Sequence, residues 1–195
     1  MTDLSKMTAA VSWPHSSLAD SHQDGCTEGW VAEAACALLK ARGGRPAVLE
    51  TGSFQGTTSA WLALTLQQMG GGDFTACEID PVRADVVRGR LAGLGDAISD
   101  AVTWRVANVD VMRYIHDAKP QTFDFAFVDD DHEEYHVRRE VNALWEKMRR
   151  GGIIALHDVF GSCDLQKVVK FYGGYSLNFP RLGPAGGLGL IQIPE

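Results

Sequence analysis

The sequence predicts an α/β fold, a doubly wound and largely parallel sheet whose last strand runs antiparallel. Two observations carry this. Short apolar runs alternate with stretches of helical period along most of the chain, in the order βαβαβαβαβαββ. The first such run then ends in a glycine turn that opens a helix, Val48-Leu49-Glu50-Thr51-Gly52-Ser53-Phe54-Gln55-Gly56-Thr57-Thr58. A chain of 195 residues, 45% of them hydrophobic, has the material for one such core.

The elements follow in order. Residues 1–24 mix polar and apolar types without period, which predicts a flexible N-terminal arm; residues 25–195 form a single domain. Thr27 to Ala41 carries Val31, Ala35, Leu38 and Leu39 at helical spacing, and Gly43-Gly44 ends it. Ala47 to Leu49 is the first strand, and Thr57 to Met69 the helix after the turn. Gly70-Gly71-Gly72 leads to a second strand that ends at Glu78. Pro81 suits the first position of the next helix, which runs to Leu94. Ala101 to Ala107 reads as a strand and Val109 to His116 as a short helix. Thr122 to Val128 is almost wholly apolar, as a buried parallel strand should be. Glu133 to Arg150 reads as a long helix with Val137, Val141, Leu144, Trp145 and Met148 on one face. Gly152 to Leu156 is the fifth strand and Gly161 to Phe171 a helix. Tyr175 to Phe179 and Leu188 to Ile193 close the chain as a hairpin. Trp61, Trp104 and Trp145 are expected in the core or at its rim.

Ligands of open α/β sheets sit at the carboxyl ends of the strands. Glu50, Glu78, Asn108, Asp129 and His157-Asp158 occupy those ends. Glycine lets the turn after the first strand bend sharply, and the helix behind it offers free N–H groups. Glu50 changes what can bind there: it repels a phosphate and holds an ammonium group. The spacing Glu-x-Gly-x-x-x-Gly also departs from the dinucleotide fingerprint Gly-x-Gly-x-x-Gly. A zwitterionic nucleoside fits this turn better than a pyrophosphate. Glu78 lies at the end of the second strand, where a carboxylate can accept from both hydroxyls of a ribose.

Taken together, these segments resemble the class I S-adenosylmethionine-dependent methyltransferases, and among them the small-molecule O-methyltransferases. The carriers are Val48 to Thr58, Ala76 to Pro81, Phe123-Asp124-Phe125-Ala126-Phe127-Val128-Asp129-Asp130-Asp131-His132, and Gly151-Gly152-Ile153-Ile154-Ala155-Leu156-His157-Asp158. The third is similar to the metal-dependent catechol and caffeoyl-coenzyme A type enzymes. The fourth is similar to the bacterial group called methyltransferase family 24. The resemblance runs from about Trp30 to the C-terminus and implies a Rossmann-like, seven-stranded sheet that binds S-adenosyl-L-methionine. Glu50, Gly52, Ser53 and Gly56 would form the methionine end of the pocket, Glu78 would hold the ribose, and Asn108 and Val109 would lie by the adenine. Asp110 has a structural use instead, as a charge at a helix N-terminus. Asp129 would border the cofactor.

The run Asp129-Asp130-Asp131-His132 puts three carboxylates together at a strand end, and a bound cation would relieve their repulsion. Oxygen ligands suit Mg²⁺, Mn²⁺ or Ca²⁺. In the resembling enzymes an aspartate at this strand end and an Asp-Asn pair after the next strand hold the metal. Asp129 matches the first, and His157-Asp158 stands where Asp-Asn is expected. The histidine moves the preference toward Mn²⁺, Fe²⁺ or Zn²⁺, and it leaves His157 either a ligand or a base. The alternative is a solvated acidic loop beside a strand-end histidine. His132 occupies the position of a catalytic lysine that takes the acceptor proton, a task histidine can perform. Tyr135 and Glu140 follow at family spacings, as helix-packing residues or as supports for the ligands.

The expected activity is thus O-methylation of a small-molecule hydroxyl with divalent-metal assistance. The alternatives are a binding protein on the same fold without methyl transfer, and a metal-dependent enzyme with other chemistry. No Asn-Pro-Pro-Tyr or Asp-Pro-Pro-Tyr motif follows the fourth strand, which disfavours an amide N-methyltransferase. A net charge of −7 argues against a nucleic-acid partner. No apolar run reaches the ~20 residues of a membrane helix, and Met1 to Asp20 has no signal-peptide core. The four cysteines, Cys26, Cys36, Cys77 and Cys163, include no Cys-x-x-Cys pair, as expected of reduced thiols in a cytoplasmic protein. Trp13, His15 and His22 lie in the arm. The segment Phe160 to Pro184 is short for a substrate-binding insert, which predicts a shallow site completed by a second subunit of a homodimer.

Overall fold

Seven strands form one sheet in the order β3-β2-β1-β4-β5-β7-β6. The structure is a computed structural model that describes residues 44–161, 164–177 and 187–195. The predicted arm, the helix predicted over Thr27 to Ala41, and Cys26, Cys36 and Cys163 lie outside the described residues. The strands are β1 (Ala47–Thr51), β2 (Gly72–Cys77), β3 (Val102–Ala107), β4 (Phe123–Val128), β5 (Met148–Leu156), β6 (Tyr175–Leu177) and β7 (Leu188–Gln192). The first five pair in parallel, and β7 pairs antiparallel with both β5 and β6.

Helices cover both faces. α1 (Thr57–Gln68) and α2 (Pro81–Ala92) pack on one side; α3 (Val111–Asp117), α4 (Glu134–Trp145) and α5 (Leu165–Phe171) pack on the other. The split follows from the period of a strand, whose neighbouring side chains point to opposite faces. Val48, Phe125 and Phe127 join Leu62, Leu66 and Leu91 in one core, while Leu49, Ala126 and Val128 join Val137, Val141 and Leu144 in the other. Trp61 is buried, and Trp104 and Trp145 flank the two cores, as expected from the sequence.

Local signals fix the starts of the helices. Asp80 caps α2 through Val82 N at 2.8 Å and Arg83 N at 3.3 Å, with Pro81 in the first turn. Asp110 caps α3 through Arg113 N at 3.0 Å, the structural use read for it. α5 starts at Leu165, later than the expected Gly161, and the largest departure from expectation lies at the end of α4. α4 stops at Trp145, and Met148 to Arg150 belong to β5. Thr122 N and Phe123 N both donate to Lys147 O, and buried Met148 pairs with Phe123. Arg149 Nη1 reaches Asp124 Oδ2 at 2.6 Å. Pairing with β4 thus outweighs the helical period of the preceding residues. A register shift between Phe123 and Phe125 then absorbs the extra residues of β5.

The strand order reverses between β1 and β4, because β2 lies on one side of β1 and the chain returns to the other. That reversal opens a crevice at the carboxyl ends of β1, β2, β4 and β5. Among the described residues no helix is long and apolar enough to cross a membrane.

Candidate active site

The loop after β1 is held from both sides. Gly52 N and Ser53 N donate to Cys77 O at 3.1 and 3.2 Å, and Ser53 Oγ lies 3.2 Å from the same oxygen. Gly52 has φ 73°, and a Cβ there would collide with Asp129 O and Asp130 Cα. The glycine is therefore required by the end of β4 pressing on the loop, beyond any need to admit a ligand. Gly56 takes the left-handed region with φ 76° as it caps α1.

Glu78, 5% exposed, follows β2 and faces this loop. Its Oε2 accepts from Phe54 N and its Oε1 from Asp80 N, each at 2.9 Å. A carboxylate has about four acceptor positions, so capacity for a diol remains on both oxygens. Asn108 follows β3 and is exposed; its amide donates to Glu78 O and Ile79 O at 2.9 Å. It latches the loop that carries Glu78. Val109 beside it is half-buried against the core.

Glu50, at the end region of β1, is 1% exposed and accepts a hydrogen bond from Ser59 Oγ on α1. Burial pushes its pKa up to about 8; Ser59 opposes this, and the nearby Asp129 adds to it. Burial thus favours the protonated form of Glu50.

On the other side of the crevice four side chains converge. His157 Nδ1 stands 2.9 Å from Asp129 Oδ1 and 3.5 Å from Asp158 Oδ2. His132 Nε2 stands 3.6 Å from Asp129 Oδ1 and 3.7 Å from Asp158 Oδ2. The two rings meet edge-on with centroids 6.1 Å apart. Asp158 carries φ 50°, rare for a residue other than glycine, and this bend sends the chain away from β5 just after the site.

A cation fits this set. The Nε2 of His132 is buried and has no hydrogen-bond partner among the described residues. With ligands about 2.0–2.2 Å from an ion, neighbouring donor atoms sit roughly 3–3.5 Å apart, near the spacings found here. Two imidazoles with two carboxylates suit Mn²⁺, Fe²⁺ or Zn²⁺. Asp129 and His157 are partly buried and in contact, an arrangement that suits a cation site and equally a strand-end histidine held by a carboxylate.

The structure thus gathers Glu50, Gly52, Ser53, Gly56 and Glu78 on one side of the crevice and Asp129, His132, His157 and Asp158 on the other. Sequence reasoning missed Ser59, the partner of Glu50, because nothing in a helix-interior serine signals a contact nine residues back. It also missed the pairing of His132 with Asp158.

This strand order, with its antiparallel last strand, is that of the methyltransferase Rossmann-like fold. More particularly, residues 49–159 match the family model described as methyltransferase domain, numbered 24 among such families, and the chain belongs to that family. Solved structures share the fold at low identity. The O-methyltransferase TomG from Streptomyces achromogenes, involved in tomaymycin synthesis and solved in complex with SAM, has a TM-score of 0.66 and 18% identity, over 98% of this chain and 95% of its own. The O-methyltransferase from Bacillus cereus in complex with SAH has 0.62 and 19%, over 97% and 96%. The SAH-bound methyltransferase PaMTH1 from Podospora anserina has 0.62 and 16%, over 97% and 86%. No curated protein matches the chain.

Proposed function

We propose that this chain transfers a methyl group from S-adenosylmethionine to a hydroxyl of a small molecule, assisted by a divalent cation. The convergence of Asp129, His132, His157 and Asp158 beside the glycine turn carries the reading. The O-methyltransferases that share its fold, some solved with SAM or SAH, support it.

S-adenosylmethionine supplies an electrophilic methyl group, and a cation in the cluster would orient the acceptor and raise the acidity of its hydroxyl. The chain's own residues do the rest. Glu50 gives up its proton and holds the ammonium group, while the Gly52 to Gly56 loop bounds the methionine end. Glu78 accepts from the ribose hydroxyls, and Asn108 keeps its loop in place beside the adenine edge formed with Val109. Asp129, His157 and Asp158 hold the cation. His132 Nε2, the donor atom farthest from the carboxylates, takes the acceptor proton. A second reading has the same geometry in its favour: His132 closes the ligand set, and its loss then releases the cation.

The test is incubation with methyl-labelled S-adenosylmethionine, Mn²⁺ and a panel of catechols, phenols and sugar alcohols. Labelled ether products support the proposal. Cofactor binding without labelled product from any acceptor would favour a binding protein on this fold.

A further inference from the structure

A separate group of donors lies behind the cluster just described, where the turn after β4 meets α4. His136 and Glu140 are one helical turn apart on α4 and so share a face. His136 Nε2 stands 3.0 Å from Asp130 Oδ2 and 3.9 Å from Glu140 Oε2. One donor atom from each of the three lies within 4.8 Å of the other two. Asp130 Oδ1 is engaged by Asp131 N at 2.7 Å, which leaves Oδ2 for the group.

Glu140 is the unusual member. It is 0% exposed, and its carboxyl is poorly satisfied: Thr51 and Asp130 are hydrogen-bonding neighbours, but neither oxygen makes a bond of good geometry among the described residues. A buried carboxyl so weakly satisfied costs free energy whether ionised or not. An apolar residue or a glutamine would fill this place in the core at lower cost, unless the carboxylate has something to bind. Burial first, then the charge of Asp130, push its pKa well above the usual carboxylate range.

We propose that Asp130, His136 and Glu140 form a second divalent-cation site, distinct from the Asp129 cluster, which pins the start of α4 to the end of β4. One imidazole and two carboxylates suit Zn²⁺, Mn²⁺ or Fe²⁺. The second ring nitrogen, His136 Nδ1, faces Asp131 Oδ2 at 3.7 Å, on the side from which carboxylates orient ligating histidines. Two consecutive aspartates then serve two ions: Asp129 the reaction site, and Asp130 a structural one. The inference does not rest on the methyl-transfer reading.

The test counts ions on the full chain, stripped by chelation and then dialysed against Zn²⁺. Wild type is expected to hold two per chain, and Asp129→Asn with Asp158→Asn to keep one. Glu140→Gln, close in shape, should lose one ion from wild type and the last ion from the double variant. Because a core substitution can disturb folding, His136→Gln at a half-exposed position is run beside it, with circular dichroism as the check. It should give the same loss with an unchanged spectrum. Wild-type stoichiometry in both Glu140→Gln and His136→Gln, or no ion left on the Asp129/Asp158 variant, would overturn the proposal. One ion in wild type, kept by the Asp129/Asp158 variant and lost with Glu140→Gln, would support this site while removing the cation from the reaction site.

Discussion

His157 Nδ1 contacts Asp129 Oδ1 at 2.9 Å across the seam between β4 and β5. Strand register produces the contact: Val128 pairs with Leu156, and His157 N donates to Val128 O at 3.0 Å. The residues just past those partners are thereby set side by side. Asp129 N in turn donates to Thr51 O at 3.1 Å, which ties the cluster to the strand that carries Glu50. The two sides of the crevice are thus assembled at the ends of four adjacent strands, β2, β1, β4 and β5.

The cation is expected to matter for turnover and not for cofactor binding. Exhaustive chelation should abolish methyl transfer, and Mn²⁺ should restore it. Calorimetric affinity for S-adenosylhomocysteine should change little, because Glu50 and Glu78, proposed to hold it, are not among the proposed cation ligands. Undiminished turnover after chelation would remove the cation from the mechanism.

His132→Ala should lower turnover by about 10²–10⁴-fold, the usual share of a general base. Cofactor affinity and bound cation should stay near wild type. A pH–rate profile checks the role: the acidic limb of wild type should be lost in the variant. Loss of the cation would instead make His132 a ligand, and an unaltered profile would pass the base role to His157.

Glu78→Ala should weaken S-adenosylmethionine by roughly 1–3 kcal/mol, the range for hydrogen bonds to a charged group. Part of that loss would come through the loop, since the carboxylate also receives Phe54 N and Asp80 N. Glu78→Gln, which keeps one acceptor oxygen and replaces the other with an amide donor, should fall between. Isothermal titration reads both.

Glu50 should make the chain less stable as pH rises. Its pKa goes from 4.5 to about 8 on burial, so between these values the folded chain keeps a proton the unfolded chain has lost. Unfolding free energy therefore falls with pH across that window, and the contribution present below pH 4.5 is gone above about 8. Melting temperatures from pH 5.5 to 8.5 should drop more steeply for wild type than for Glu50→Gln. Equal slopes would show that Glu50 is ionised in the folded chain. The same proton should appear on cofactor binding, as a dependence of the calorimetric heat on the buffer's ionisation enthalpy.

The sequence made the sheet legible because buried parallel strands leave plain apolar runs, and glycines, Pro81 and capping aspartates mark the turns. Residues at strand ends, Glu50, Glu78, Asp129 and His157, could be placed in one crevice from topology alone. What escaped depended on contacts between distant segments. The pull of Phe123 on Met148 shortened α4, and Ser59 met Glu50 through helix packing. The Asp130–His136–Glu140 group left one legible trace, the i, i+4 spacing of His136 and Glu140 after an acidic run. Helix-face packing accounts for such a pair equally well until the burial of Glu140 is known.

The most direct test is a crystal structure of the chain with S-adenosylhomocysteine and Mn²⁺, with anomalous scattering used to locate the metal. The nucleoside is expected between the ends of β1 and β4, its ribose on Glu78 and its amino group on Glu50. An anomalous peak is expected among Asp129, His157 and Asp158, on the side of the crevice facing the sulfur. A nucleoside bound elsewhere, or full cofactor occupancy with no anomalous peak at those three residues, would contradict this arrangement.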